Sequence, residues 1–366
     1  MATDYRADQV GSLLRPPALL EARDAHEAGQ LAIQALHERE DEAILAALEL
    51  QREVGLDVFT DGEYRRASFM HVVADAVEGF IPVKAALPWQ GPPIDDPTGG
   101  FGQSVGGKLR QTRRLVAHET AFLREHAPGP FKITVPSPAL FLPQQDPRGV
   151  IGTIYPMRAD LLADLTAIVR REMQALADEG VPYIQLDAPS YTAFADPRVV
   201  EQMRQGGADV DQALAERIAA DNACLTAARA DGITIGVHLC RGNSRSRWLS
   251  EGGYDPIAER VFNSLAADRF LLEYDSPRAG GFEPLRFMPQ DKMVVLGLIT
   301  TKGGRLEPQD ELLRRIDEAA RYVPVENLAL SPQCGFASSA PGNLLTWDDQ
   351  RRKLELLVDI ARRVWG

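Results

Sequence analysis

Short runs rich in β-branched and aromatic residues alternate with amphipathic helical stretches along the whole chain, and this alternation limits the fold more than any other feature. The runs occupy residues 8–12, 56–63 (LDVFTDGE), 131–137 (FKITVPS), 183–187 (YIQLD), 234–240 (TIGVHLC), 269–275 (RFLLEYD), 293–301 (MVVLGLITT) and 328–334 (LALSPQC). Good helix formers fill 41–54, 157–179, 211–230, 255–266, 308–322 and 347–365. Strands alternating with helices predict a parallel sheet, and eight repeats predict its closure. The expected fold is therefore α/β, a single (β/α)8 TIM barrel forming one domain over residues 1–366. The first run is weak by propensity. No solenoid-like sequence repeat accompanies the pattern.

Each run ends on groups able to do chemistry: Ser12, Asp61 and Glu63, Ser137, Asp187, His238 and Cys240, Glu273, Thr300 and Lys302, and Cys334. Catalytic residues of such barrels sit at the C-terminal ends of several strands. One stretch breaks the pattern. Residues 82–107 are rich in Pro and Gly and read as a loop insertion after the second strand, either exposed or a lid anchored by Trp89 and Phe101.

The chain has 366 residues, 45% of them hydrophobic, enough for a large core. A net charge of −12 argues against nucleic acid, which needs a basic footprint. The polar N-terminus and the lack of a long apolar run predict a protein that is cytoplasmic and has no membrane contact. The three cysteines, Cys224, Cys240 and Cys334, are an odd count that points to metal or catalytic roles rather than disulfides.

His238-Leu239-Cys240 is the sharpest local motif. Residues two apart on a strand share a face, whereas on a helix they diverge by about 200°. Imidazole with thiolate suits zinc, and further ligands are expected from other strand ends. Cys334 ends the eighth run and Glu273 the sixth, so both are candidates. A lone His or Cys is usually a packed core residue, and Cys224, in a helical stretch, is read that way. Arg241, Arg245 and Arg247 crowd the loop after the motif. They read equally as a solvated basic loop or as an anion clamp. Arg110, Arg113 and Arg114 are similar and less well placed.

At these residues the sequence resembles the catalytic barrel of cobalamin-independent methionine synthase, above all its short single-barrel homologues. The likeness runs from Arg6 to the C-terminal helix. It rests on VGSLLRP (10–16), DGEYRR (61–66), IQLDAP (184–189), HLC (238–240), LEYDSPR (272–278) and SPQCGF (331–336), in family order. It implies a barrel of the methionine synthase and uroporphyrinogen decarboxylase type, with a zinc held by His238, Cys240, Glu273 and Cys334. It also implies that homocysteine is gripped near Val10 and by Ser12, Glu63 and Asp187. A zinc-bound thiol is deprotonated outright, and Glu273, the hard oxygen among softer donors, is the ligand a substrate thiolate would displace.

The expected activity is a zinc-dependent methyl transfer to a thiol, first among them homocysteine, giving methionine. The sequence departs from the long enzyme on the donor side. One barrel stands where that enzyme has two. IDEPA reads LDAPS, with Ala188 in place of Glu; the proton-donor histidine reads as Lys302; and LFLPQQ (140–145) lacks the tryptophan that faces the pterin. Lys302 is kept as a catalytic candidate, and the expected donor is an activated methyl carrier, such as a corrinoid or a sulfonium, rather than a folate. The alternatives are an epoxyalkane–coenzyme M transferase, with the arginines after Cys240 holding a sulfonate, and a noncatalytic zinc-stabilised protein. A homodimer is one assembly open to such a barrel.

Overall fold

The computed structural model describes residues 5–84, 87–94, 101–143 and 149–366. Helices form where apolar residues recur at helical spacing. Arg158–Asp178 buries Leu161, Leu165, Ile168, Val169, Met173 and Leu176 along one face. Trp347–Trp365 starts at Thr346, whose Oγ1 accepts from the Asp349 N–H at 3.1 Å. The Asp349 carboxylate returns to the Thr346 N–H at 2.9 Å, closing a capping box. Its bounds are those expected from sequence. The stretch 41–54 proves to be the later part of a longer helix, Ile33–Val54, and helices Pro17–Glu27, Ala117–His126 and Pro197–Gln205 were not anticipated.

Two antiparallel strands, β1 (Val77–Lys84) and β2 (Phe101–Gln111), stand apart from a six-stranded parallel sheet in chain order. Its strands are β3 (Lys132–Pro136), β4 (Tyr183–Asp187), β5 (Thr234–Leu239), β6 (Arg269–Glu273), β7 (Met293–Ile299) and β8 (Leu328–Pro332). These match the third to eighth runs. Every residue in them is buried, as expected of parallel strands covered on both faces. Alternation separates the faces. Phe270, Leu272, Val294, Leu296, Leu328 and Leu330 join the main core with the helices, while Leu271, Met293, Val295 and Ala329 cluster with Val10 on the inner face.

The first two runs differ from expectation, because they attach to the sheet edges by single parallel bridges rather than ladders. Ala7 pairs with Leu330 beside β8, and Phe59 with Phe131 beside β3. The Asp57 N–H reaches the Ala7 carbonyl at 3.2 Å, joining the two runs to each other. Side chains take over part of the ladder. Gln51 serves both the N–H and the C=O of Thr60 at 2.9 Å each, and Gln9 donates to the Val58 carbonyl at 3.0 Å. Beyond Thr60 the chain turns through Gly62 and Glu63, both at positive φ, which no strand allows.

The insertion after the second run is also more ordered than a loop. Residues 77–84 and 101–111 form the β1–β2 hairpin, with Ile81 opposite Ser104 and Phe80 opposite Val105. A Cβ at Gly106 would lie 2.7 Å from Ile81, so that glycine makes room for the isoleucine. Residues 85, 86 and 95–100 of the segment lie outside the described residues. The piece between them rests on the loop after β5. Gln90 and Trp248 exchange backbone hydrogen bonds of 2.8 and 3.0 Å, and the Arg247 guanidinium lies over the Trp89 ring at 5.5 Å.

Candidate active site

The sheet register assembles the site from inward-facing residues two apart. Asp187 pairs with His238 across β4 and β5, and His238 with Leu271 across β5 and β6. One step further along the strands, this register puts Cys240 beside Glu273, which pairs with Gly297 of β7. Cys334 lies two residues beyond β8, and the Gln333 N–H between them donates to the Ile299 carbonyl at 2.8 Å.

His238, Cys240 and Cys334 converge. All three are buried, and one ligand atom from each lies within 4.8 Å of the others. Ligand atoms around one tetrahedral zinc at 2.0–2.3 Å lie about 3.3–3.8 Å apart, so small side-chain adjustments bring the group to the size a single ion demands. The sulfurs of Cys240 and Cys334 are 3.3 Å apart. Both ring nitrogens of His238 are buried, and among the described residues the only near polar partner is the Cys334 sulfur of the same group. A metal between them would satisfy the imidazole. The two thiols act as a pair: their mutual hydrogen bond holds Cys334 well below the usual thiol range, helped by the neighbouring His238, and pushes Cys240 well above it. The Gly242 N–H points at the Cys240 sulfur at 3.2 Å, and the Ser338 hydroxyl is 3.8 Å from that of Cys334.

Glu273 does not join the three. It is fully buried, with Oε1 accepting from Arg278 at 2.7 Å and Oε2 from the Arg241 N–H at 2.9 Å. Lys302 turns its ammonium to the Gly242 and Arg247 carbonyls and to Asn243 Oδ1, at 3.1–3.2 Å, so it braces the loop after β5.

The remaining expected residues, Val10, Ser12, Glu63 and Asp187, are all buried and gather beside this group. Glu63 sits at φ 59°, an uncommon conformation for a non-glycine residue that surrounding contacts must hold. Its Oε1 accepts from Thr134 at 2.9 Å and lies 3.6 Å from Arg66, while Oε2 is buried without a partner. Burial pushes its carboxyl up, against the pull of Arg66. Gly11, at φ 148°, lets the backbone pass; a Cβ there would lie 3.0 Å from Glu63 Oε1. Ser12 presses against Gly335, where a Cβ would fall 1.9 Å from its hydroxyl oxygen, so Ser12 abuts the residue after Cys334. Burial lifts Asp187 to about 7, with His238 opposing and Glu63 reinforcing the shift. Gln185 donates one amide hydrogen to Asp187 at 2.7 Å and the other to the Val10 carbonyl at 2.8 Å.

Sequence reasoning missed the supports of these residues. Arg66 forks onto Glu119 at 2.5 and 2.9 Å, and Lys132 fixes the Gln185 amide by donating to its oxygen at 2.9 Å. Their inward position on strands, or beside the DGE turn, was the available signal. Arg241 is not part of a solvated loop: it is fully buried, with its guanidinium over the Tyr254 ring at 4.5 Å. Arg110 and Arg114 are taken up by Glu78, Glu172 and Glu179. Cys224 is packed in the core. Of LFLPQQ, residues 144 and 145 lie outside the described residues. Among the described residues no helix is long and apolar enough to cross a membrane.

Comparison with known proteins places the chain in a family. Residues 150–363 match the family model for the catalytic domain of cobalamin-independent synthase. Uncharacterized protein YxjH of Bacillus subtilis is 40% identical over 99% of this chain and 95% of its own length. A protein of Pyrococcus abyssi named methionine synthase is 24% identical over 97% of this chain and 90% of its own. A solved protein of Listeria monocytogenes, provisionally named a vitamin-B12 independent methionine synthase, superposes with a TM-score of 0.74 at 27% identity, covering 100% and 99% of the two chains. A B12-independent methionine synthase from Shewanella, solved with selenomethionine, shares the fold at a TM-score of 0.72 and 20% identity, covering 98% and 97%.

Proposed function

Because the chain belongs to the cobalamin-independent synthase catalytic-domain family, we propose that it is a zinc-dependent methyltransferase acting on an amino-acid thiol, homocysteine before others, to give methionine. We read the two edge bridges and the Asp57–Ala7 bond as closing the sheet into an eight-unit barrel. The observation that carries the functional reading is the convergence of the buried trio His238, Cys240 and Cys334 beside the buried carboxylates of Glu63 and Asp187. His238, Cys240 and Cys334 would hold the zinc, with Glu273 as the exchangeable fourth ligand. When bound, the metal would supply the Lewis acidity that keeps a thiol deprotonated at neutral pH.

The chain's own groups do the rest. Glu63 Oε2, buried and unpartnered, accepts a hydrogen bond from a substrate ammonium, as does Asp187. That cation in turn favours the ionised form of Asp187, whose carboxyl is lifted to about 7, by burial first and by the nearby Glu63. The Val10 carbonyl offers a third acceptor, and Ser12 faces the substrate carboxylate. A coenzyme M thiol gains nothing from these carboxylates, and Arg241, buried against Tyr254, is not offered to a sulfonate.

The donor side is different. Methyl transfer from a folate needs a proton at a poor leaving nitrogen, yet Lys302 is committed to loop acceptors. An activated methyl, on a corrinoid or a sulfonium, needs no such proton. Parallel assays of homocysteine with methyltetrahydrofolate, a methylcorrinoid and a methylsulfonium at equal concentration test this. Methionine should form fastest with an activated donor, and robust turnover with the folate alone would overturn the donor assignment while leaving the acceptor assignment standing.

A further inference from the structure

Glu273 raises a question of electrostatics. The strand register places it beside Cys240, yet it is absent from the group formed by His238, Cys240 and Cys334. Its two oxygens are held elsewhere: Oε2 by the Arg241 N–H at 2.9 Å, and Oε1 by Arg278. The Arg278 Nη2 holds Glu273 Oε1 at 2.7 Å and Asp275 Oδ1 at 2.8 Å, and its guanidinium lies over the Trp248 ring at 5.0 Å. The Arg278 carbonyl accepts from the Gly252 N–H at 2.9 Å, so backbone and side chain are both anchored. Only 12% of the side chain is exposed, against none of the Glu273 side chain. This is a fixed, largely desolvated cation rather than a surface partner.

Resting on the zinc reading above, we propose that Arg278 is a positioning residue that draws the Glu273 carboxylate away from the imidazole and sulfur ligands, and so keeps the fourth ligand position exchangeable. A buried carboxylate displaced from a metal and left unpaired would carry a heavy desolvation penalty. Arg278 removes that penalty, because the displaced oxygen already has a charged donor waiting within hydrogen-bond reach. The same pairing weakens Glu273 as a ligand, since the Arg278 cation draws negative charge from the carboxylate and anchors Oε1 on its own side. The chain spacing supports this: Glu273 ends β6, and the one-turn helix Pro277–Ala279 folds Arg278 back onto it five residues later.

The test is zinc affinity, measured by competition with a chromophoric chelator on the full chain. Arg278→Gln should bind zinc about tenfold more tightly than wild type, the effect of one charge-assisted hydrogen bond. Damage to the site would lower affinity, so a gain is not what a merely structural role produces. Arg278→Lys, which keeps a cation, should stay near wild type. In a Glu273→Gln background the Arg278→Gln gain should vanish. An equal gain in both backgrounds would show simple charge repulsion and overturn the proposal, as would unchanged or weaker binding by Arg278→Gln. A wild-type chain that binds no zinc would instead remove the zinc reading itself, and this inference with it.

Discussion

The inner face of the sheet carries buried charge at two ends, and the ends are built differently. At the N-terminal end, Lys132 commits its three hydrogens to Asp8 at 2.6 Å, Gln185 at 2.9 Å and the Gln9 carbonyl. Asp8 also lies 3.6 Å from Arg269 and accepts from Tyr183 at 3.1 Å. Two cations meet one carboxylate there, and each charge has an opposite charge within reach. At the C-terminal end, Oε2 of Glu63 and Oδ2 of Asp61 are just as buried but have no partner, and the nearest polar group to the His238 ring is the Cys334 sulfur. Burial lifts Asp61 to about 6 and Asp187 to about 7. Unsatisfied buried groups cost stability, so a fold that keeps several together does so for something it binds. Gln185 connects the two ends, taking its orientation from Lys132 and passing it to Asp187.

The comparison breaks most sharply at the sulfurs. Cys240→Ser or Cys334→Ser should reduce zinc from about one per chain to none, because a three-residue core of ligands cannot lose one and keep its geometry. The melting temperature of the metal-free proteins should stay close to that of the metal-free wild type. Metal analysis with thermal melts reads both, and full zinc retention in Cys334→Ser would end the metal assignment. Next in size is the N-terminal end. Lys132→Met leaves Asp8 buried with its nearest cation removed and should destabilise the fold by roughly 3–5 kcal/mol, read from urea unfolding. A loss under about 1 kcal/mol, the worth of an ordinary hydrogen bond, would mean the pairing there is not structural. Smallest is the effect at the carboxylates. Glu63→Gln and Asp187→Asn should each weaken homocysteine use about ten- to hundred-fold with zinc content unchanged. Normal kinetics with homocysteine in both variants would point to a thiol without an amine.

Much of this was legible in sequence because it is local. A period of two puts His238 and Cys240 on one face whatever the fold around them, and the same holds for Gln185 and Asp187. The eight-fold alternation placed β3 to β8 close to where they lie. The first two runs were harder to read, because single bridges and the amides of Gln9 and Gln51 replace their ladders, and no periodicity marks that. The hairpin in the Pro/Gly segment escaped for a related reason. Its pairing joins residues such as Phe80 and Val105 across a span whose glycines read as loop.

What the sequence by itself determined is which residues share a face and which end of a strand they occupy, since neighbours a few residues apart encode both. What only the tertiary structure decided is which buried group meets which. The register sets Asp187 against His238 and Cys240 against Glu273, residues 51 and 33 positions apart in the chain. A shift of one residue would have turned every such side chain to the opposite face. The choice of Arg278 over the sulfur group as the partner of Glu273 is likewise tertiary. Buried charges settle against whichever opposite charge the finished fold brings nearest, and that proximity is a property of the assembled sheet rather than of any segment in it.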